Sequence, residues 1–222
     1  MPDGQGPPGR PATRAAQVAR RAEATRAALL GAARRLFVEK GYFATGTEEI
    51  VAEAGVGTRG ALYHHFADKR ALFEAVIEAV EEDLVAAAAA ATPPEGAFAQ
   101  LRAGLLGFLE ASLTPEVPQV LLRDGPAVLG WQEWRALEER YGLGAIRALL
   151  DQAVAEGTLP PQPLDALAHV LLAAVDEAAL YIANSPEPRL AKVDAVGTMD
   201  RLLGGLVSPA PKPRGGGTRR AG

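Results

Sequence analysis

The sequence predicts an all-α protein. Three observations carry that prediction. Apolar residues recur at i, i+3 and i+4 in segment after segment. Strand signals are poor, with no alternating apolar run and no Asn-Gly or Asp-Gly hairpin between apolar stretches. Glycine and proline fall between the periodic segments, where helices need to stop.

The elements follow in chain order. Residues 1–13 are rich in Pro, Gly and Arg and read as disordered, within a basic arm taken to run through residue 20. In Ala22–Lys40, Leu29, Ala33, Leu36 and Phe37 share one face while Arg26, Arg34, Arg35 and Glu39 lie elsewhere, and Gly41 reads as the stop. Thr47-Glu48-Glu49-Ile50 reads as a cap and an acidic first turn, broken two turns later by Gly55-Val56-Gly57. Thr58 then caps a second short helix running to Phe66. Asp68 caps a long helix with a stripe of Leu72, Phe73, Val76, Ile77, Val80 and Leu84, which Thr92-Pro93-Pro94 ends.

Beyond Pro94 the pattern is that of a bundle. Helices are expected at Glu95–Leu113, Pro115–Arg123, Trp131–Tyr141, Leu143–Gly157, Leu164–Asn184 and Arg189–Val207. Pro115, Gly125-Pro126, Gly142, Pro160-Pro161 and Pro186/Pro188 separate them. The tail from Ser208 has the same composition as the N-terminus and reads as disordered. The expected organisation is therefore a basic arm (1–20), a small unit (21–67), a linking helix (68–92), a helical body (93–207) and a tail (208–222).

Composition excludes several chemistries. There is no cysteine, so disulfides, thiolate nucleophiles, iron–sulfur clusters and Cys-ligated zinc are out. No uninterrupted apolar run approaches the roughly 18 residues that span a bilayer, and no secretory h-region opens the chain, so a cytoplasmic protein without membrane contact is expected. The net charge of −4 hides an uneven distribution: residues 1–40 are net +5, 41–80 net −3, 81–210 net −10, and the last twelve carry four cations. A basic front and an acidic body suggest two jobs on one chain.

The two short helices around Gly55-Val56-Gly57 describe a helix-turn-helix. Ala52, Ala54, Val56 and Leu62 are the expected packing face. The second helix must present small and polar residues to a major groove about 12 Å wide, and Thr58, Arg59 and Gly60 stand at its start. Tyr63 and His64 follow within reach of phosphates, and Lys69 opens the next helix where its ammonium could grip another. Each has a plainer reading. Tyr63 could cap the small core, and Arg59 could be a solvated charge. His64 and His65 point about 100° apart, a poor arrangement for sharing a metal, so no metal site is expected. Arg10, Arg14, Arg20 and Arg21 are either an arm reaching a groove or a solvated tail.

Ala54–Val76, AGVGTRGALYHHFADKRALFEAV, together with the preceding LFVEKGYFATGTEEIVAE, resembles the DNA-binding domain of TetR/AcrR-type transcriptional regulators. The likeness runs from about Thr25 to Val80. It implies three helices with the helix-turn-helix in the second and third. It also implies a fourth helix leading into an all-helical domain that binds a small-molecule effector and dimerises through its last two helices. Two positions depart from the family pattern. Gly46 and Gly57 stand where a Thr or Ser often contacts phosphate or caps the recognition helix, and Thr47 and Thr58 are the residues expected to take those roles. The implied DNA-contacting set is Thr45, Thr47, Thr58, Arg59, Gly60, Tyr63, His64 and Lys69. Val120–Gly142 resembles a segment of one subgroup of the family.

In the body, Trp131 and Trp134 are either core or the wall of a cavity beside a Gly/Pro-broken segment. With Phe108, Leu121, Tyr141, His169 and Asp176 they form the expected effector-binding set. Glu177 is expected at a dimer interface. The leading reading is a homodimeric, ligand-released repressor on a palindromic operator in double-stranded DNA, with no cofactor and no enzymatic activity. Two alternatives come from other classes. One is a helical-bundle enzyme using His169 with Asp165, Asp176 or Glu177. The other is a non-specific architectural DNA binder, which the acidic body disfavours.

Overall fold

The computed structural model describes residues 14–90 and 95–207. The expected disorder at 1–13 and 208–222, the Thr92-Pro93-Pro94 stop and Arg10 lie outside the described residues. Within them the helices are α1 (Arg14–Lys40), α2 (Thr47–Ala54), α3 (Arg59–His65), α4 (Lys69–Ala90), α5 (Ala97–Ala111), a π-helical segment (Val117–Asp124), α6 (Gly125–Leu129), α7 (Trp131–Arg140), α8 (Gly142–Ala155), α9 (Leu164–Asn184) and α10 (Pro188–Gly204). No strand occurs among the described residues.

Two boundaries differ from the sequence reading. α1 begins at Arg14, so residues 14–20 are helix and not a disordered arm. Their Ala, Arg and Gln are strong helix formers, and that local propensity outweighs the basic composition of the chain around them. An α-helix is expected over Pro115–Arg123; Val117–Asp124 is instead π-helical, a rare winding that is frequent at functional sites.

The chain sorts into two compact units, one running to Asp83 and including Pro115–Trp134, the other formed by Leu84–Thr114 and Arg135 onward. Periodicity cannot show that the 115–134 excursion belongs with the N-terminal unit, because it reports which face is apolar and not what covers it.

The first unit is built on α1, whose Leu29, Ala32, Ala33, Leu36 and Phe37 are buried. Phe37 meets the Phe73 ring edge-on at 5.2 Å, and Tyr42 packs on Phe73 at 4.9 Å. Leu72, Phe73, Val76, Ile77 and Val80 form the α4 stripe. From α2 and α3 the core takes Ile50, Val51 and Leu62, while Ala52, expected in the packing face, is exposed. On an eight-residue helix the two β-branched side chains bury more apolar surface than the alanines beside them.

In the second unit α5, α8, α9 and α10 pack together. The buried residues are Leu101, Leu105 and Leu109 on α5, Leu143, Ile146 and Leu150 on α8, and Ala168, Leu171, Val175, Ala179 and Ile182 on the inner face of α9. Small residues at Ala191 and Ala195 recur on α10 at helical spacing. An 18-residue window of α9 has a mean hydropathy of 1.6, long and apolar enough to cross a membrane by length and composition only, a test that the core helix of a bundle also passes. His169, Asp176 and Glu177 interrupt the apolar run and hid this from a reading by uninterrupted stretches.

Candidate nucleic-acid interface

α2 ends because Gly55 takes the left-handed conformation, φ 66°, that L side chains rarely adopt. Its N–H donates to Ala52 O at 3.1 Å and that of Val56 to Val51 O at 3.3 Å, the pairing of a Schellman cap. Gly57 is left-handed as well, at φ 78°, and Thr58 N–H donates across it to Val56 O at 3.0 Å. This i→i+2 turn suits glycine and redirects the chain into α3. Two glycines thus set the angle between the helices. Thr58 enters α3 extended, at φ −144°, without a side-chain capping bond. Thr47 lies inside α2, where Gly46 is the N-cap residue. Neither threonine therefore caps its helix through its hydroxyl. Asp68 does act as read: its carboxylate accepts the Ala71 N–H at 2.7 Å.

Thr58, Arg59, Gly60, Tyr63 and His64 are all exposed on or beside α3. Arg59 is held in place by neighbours. Its guanidinium lies 2.6 Å from a Glu48 oxygen, donates to Tyr63 Oη at 3.4 Å, and sits 5.9 Å from the Tyr63 ring centroid. The bond from Arg59, and then that from Thr47, draw the Tyr63 hydroxyl below its ordinary range. The Glu48 carboxyl is held low by its own backbone N–H and then by Arg59. Thr47, Glu48, Arg59 and Tyr63 therefore form one connected polar surface across the two helices. Glu48 was absent from the expected set, although its place one residue after Thr47 on the same helix pointed to it.

Two residues of the expected DNA-contacting set bond to the protein's own loop carbonyls. Thr45 is 2% exposed and its hydroxyl donates to the Gly41 carbonyl at 2.8 Å. Lys69 donates from Nζ to the carbonyls of Tyr42 at 2.9 Å and Thr45 at 3.0 Å, and lies 4.0 Å from the Tyr42 ring centroid. Burial pushes this ammonium's pKa down. Both side chains fasten the loop between α1 and α2, whose carbonyls no helix satisfies.

The same loop is gripped from the π-helical segment. Asp124, 7% exposed, accepts the Tyr42 N–H at 2.7 Å and the Gln119 side-chain amide at 3.1 Å. Gly41 is left-handed (φ 80°), and a Cβ there would come within 3.2 Å of Gln119 and 3.4 Å of Asp124. Arg34 makes a two-pronged contact with Glu116, at 2.8 and 3.2 Å, and reaches Asp83 at 2.6 Å. Those carboxylates, Glu116 foremost, raise its pKa against the lowering effect of burial. Arg70 donates to the Leu129 carbonyl at 3.2 Å and pairs with Glu133. Asp124, Glu116 and Arg34 were missed because solvent-facing and buried charges look alike in sequence.

The expected effector-binding residues divide between the units. Leu121 and Trp134 are buried in the first, where Trp134 lies over Gly125 so closely that a Cβ would meet its ring at 2.5 Å. Trp131 is 71% exposed. Phe108, Tyr141, His169 and Asp176 are half-buried in the second unit. There His169 Nδ1 faces Arg135 at 3.4 Å, and Arg135 pairs with the buried Glu138 at 2.9 Å. Asp165, the carboxylate one turn from His169, pairs instead with Arg147 at 2.5 Å.

A short glycine-hinged pair of helices on a small core, with an exposed polar second helix, defines a helix-turn-helix DNA-binding protein joined to a helical body. Comparison with known proteins agrees along most of the chain. The family model for bacterial regulatory proteins of the tetR family matches residues 29–76, and that for the tetracyclin repressor-like C-terminal domain matches residues 98–206. The transcriptional regulator SrpR of Pseudomonas putida is 31% identical over 151 residues, 66% of this chain and 68% of its own. The Transposon Tn10 TetC protein of Escherichia coli is 28% identical over 149 residues, 67% of this chain and 75% of its own. A crystal structure of a TetR-family regulator from Pectobacterium atrosepticum superposes with a TM-score of 0.70 at 32% identity, covering 89% of this chain and 99% of that one. The chain belongs to the TetR family of transcriptional regulators.

Proposed function

We propose that the protein is a homodimeric repressor that binds a palindromic operator and leaves it when a small molecule occupies the helical body. The observation that carries the DNA-binding part is the exposed face of α3, with Arg59 already oriented by Glu48 and Tyr63. In this reading Arg59 reads a base edge, Thr58 and Gly60 let the helix approach closely, and Thr47, Tyr63 and His64 contact phosphates. Lys69 has a third N–H for a phosphate while its other two hold the α1–α2 loop. Thr45 acts only through that loop.

The dimer is proposed to form through α9 and α10. Val170 and Tyr181 on α9, and Leu190 and Val193 on α10, are exposed apolar side chains at helical spacing, with Glu177 beside the α9 pair. Two copies meeting on such a face about a two-fold axis present two α3 helices to successive major grooves, roughly 34 Å apart. Val193 is 63% exposed, so replacing it with glutamate leaves the protomer core intact while putting two carboxylates into the interface. Sedimentation should then show dimer association weakened about a hundredfold, roughly 3 kcal/mol. Unchanged sedimentation would remove α10 from the interface.

Ligand release needs the effector to favour a conformer that binds DNA poorly. Pro115–Trp134 supports such a route, since it leaves from and returns to the second unit in sequence yet fastens the α1–α2 loop through Asp124. An enzymatic role draws no support from His169, which faces a guanidinium, while Asp165, one turn away on the same helix, is held by Arg147. The protein is proposed to act in the cytoplasm, where its DNA is. Selecting bound duplexes from a random pool, then screening small molecules for thermal shift and for loss of the selected complex, tests the reading. An unenriched pool would overturn it.

A further inference from the structure

We propose that the N-terminal half of α1 is a second DNA-contacting element, whose arginines lie on phosphates flanking each operator half-site. The proposal rests on the DNA-binding reading of α3 and extends it. Residues 14–20 are helical yet all exposed, and Leu29 is the first residue of α1 in the core. Core packing therefore does not account for the first turns of this helix. Its charge is one-sided: Arg14, Arg20 and Arg21 precede Glu23, the first acid on α1. At 100° per residue Arg14, Arg21 and Arg20 fall within an arc of about 120° that has Gln17 at its middle, while Ala15, Ala19 and Ala22 lie on the other side of the helix.

Four other arginines of the unit behave differently. Arg34, Arg35, Arg59 and Arg70 each pair with a carboxylate. Among the described residues no such pair is formed by Arg14, Arg20 or Arg21. Three neighbouring guanidiniums on an exposed face fit a polyanion with closely spaced charges.

The structure also places this segment beside the recognition helix. Arg26 stacks 5.2 Å from the centroid of Phe66, the residue that closes α3. From Arg26 the helix continues twelve residues to Arg14, about 18 Å at 1.5 Å per residue. That is the rise of roughly five base pairs. The extension thus departs from one end of the element that enters the groove and is long enough to track the neighbouring backbone.

The test compares wild type with the triple variant Arg14→Ala, Arg20→Ala, Arg21→Ala on the duplex selected from a random pool, as a core-only duplex and extended by ten base pairs on each side. Alanine preserves helix, which circular dichroism verifies. On the extended duplex the variant should bind about tenfold more weakly near 0.1 M salt, with a slope of log affinity against log salt shallower by roughly 2–5 for the dimer. Core-only binding should stay within about twofold, and the Arg→Lys triple should keep the slope. Equal affinity and equal slope on the extended duplex would overturn the proposal while leaving operator recognition by α3 intact. Wild-type protein that fails to distinguish the selected duplex from random DNA would overturn both.

Discussion

Replacing Arg59 with alanine should cost roughly 1–3 kcal/mol of operator affinity, about 5- to 150-fold, and flatten the preference at one base position per half-site. A guanidinium can place two parallel N–H donors on the O6 and N7 of guanine, which no other base pair presents. Arg59 suits that task because it stands in the first turn of α3 and already lies against Glu48 and Tyr63. Less side-chain freedom then remains to be lost on binding. The exposed Glu48 contact is readily exchanged for a base, since a surface ion pair contributes little. Arg59→Lys keeps the charge but loses the fork, so it should restore phosphate attraction and not base preference. Competition binding against single-base operator variants measures both. An Arg59→Ala protein that retains the wild-type base profile would show that α3 reads the groove through other residues.

Asp124→Ala should destabilise the first unit by about 2–4 kcal/mol. Asp124 is buried and accepts from the Tyr42 N–H and the Gln119 amide. Its loss leaves those donors without their acceptor in a space closed by Gly41. Hydrogen bonds to a charged acceptor run at roughly 1.5–3 kcal/mol, and an orphaned buried donor adds to that cost. Asp124→Asn keeps an acceptor oxygen but loses the charge, so it should fall between the two. Both tryptophans of the chain, Trp131 and Trp134, lie in this unit, so urea unfolding followed by tryptophan fluorescence reports its stability directly. A shift below about 0.5 kcal/mol would mean that the π-helical segment rests on the α1–α2 loop without fastening it.

Much of the DNA-binding unit is legible in the sequence because its constraints are local. Gly55 and Gly57 stand where the backbone turns left-handed, and Asp68 is the helix cap its type and position suggest. Leu62 and Phe73 hold their places by spacing alone. The likeness that runs through Leu-Tyr-His-His-Phe spans this unit. What escapes the sequence is non-local. Thr45 and Lys69 carry groups that suit phosphates, yet the nearest unsatisfied partners are the carbonyls of their own loop. Arg34 and Asp124 find their partners in Glu116 and Tyr42, 82 residues away in each case, which no local pattern reveals. The effector-binding set is least legible. Helical spacing pairs Trp131 with Trp134 on α7 but does not reveal that Trp134 lies over Gly125 while Trp131 faces solvent. Arg14–Arg20 is the opposite case, where propensity alone predicts helix and composition argued against it.

The central claim is that this chain reads DNA sequence as a symmetric pair through α3. Selection of duplexes from a random pool by the purified protein, repeated with Arg59→Ala, tests it most directly. The account predicts an enriched inverted repeat whose half-site centres lie about one helical turn or somewhat more apart, with one conserved position per half-site lost in the variant. A pool that stays unenriched, or an enriched motif without two-fold symmetry that survives Arg59→Ala unchanged, would contradict it.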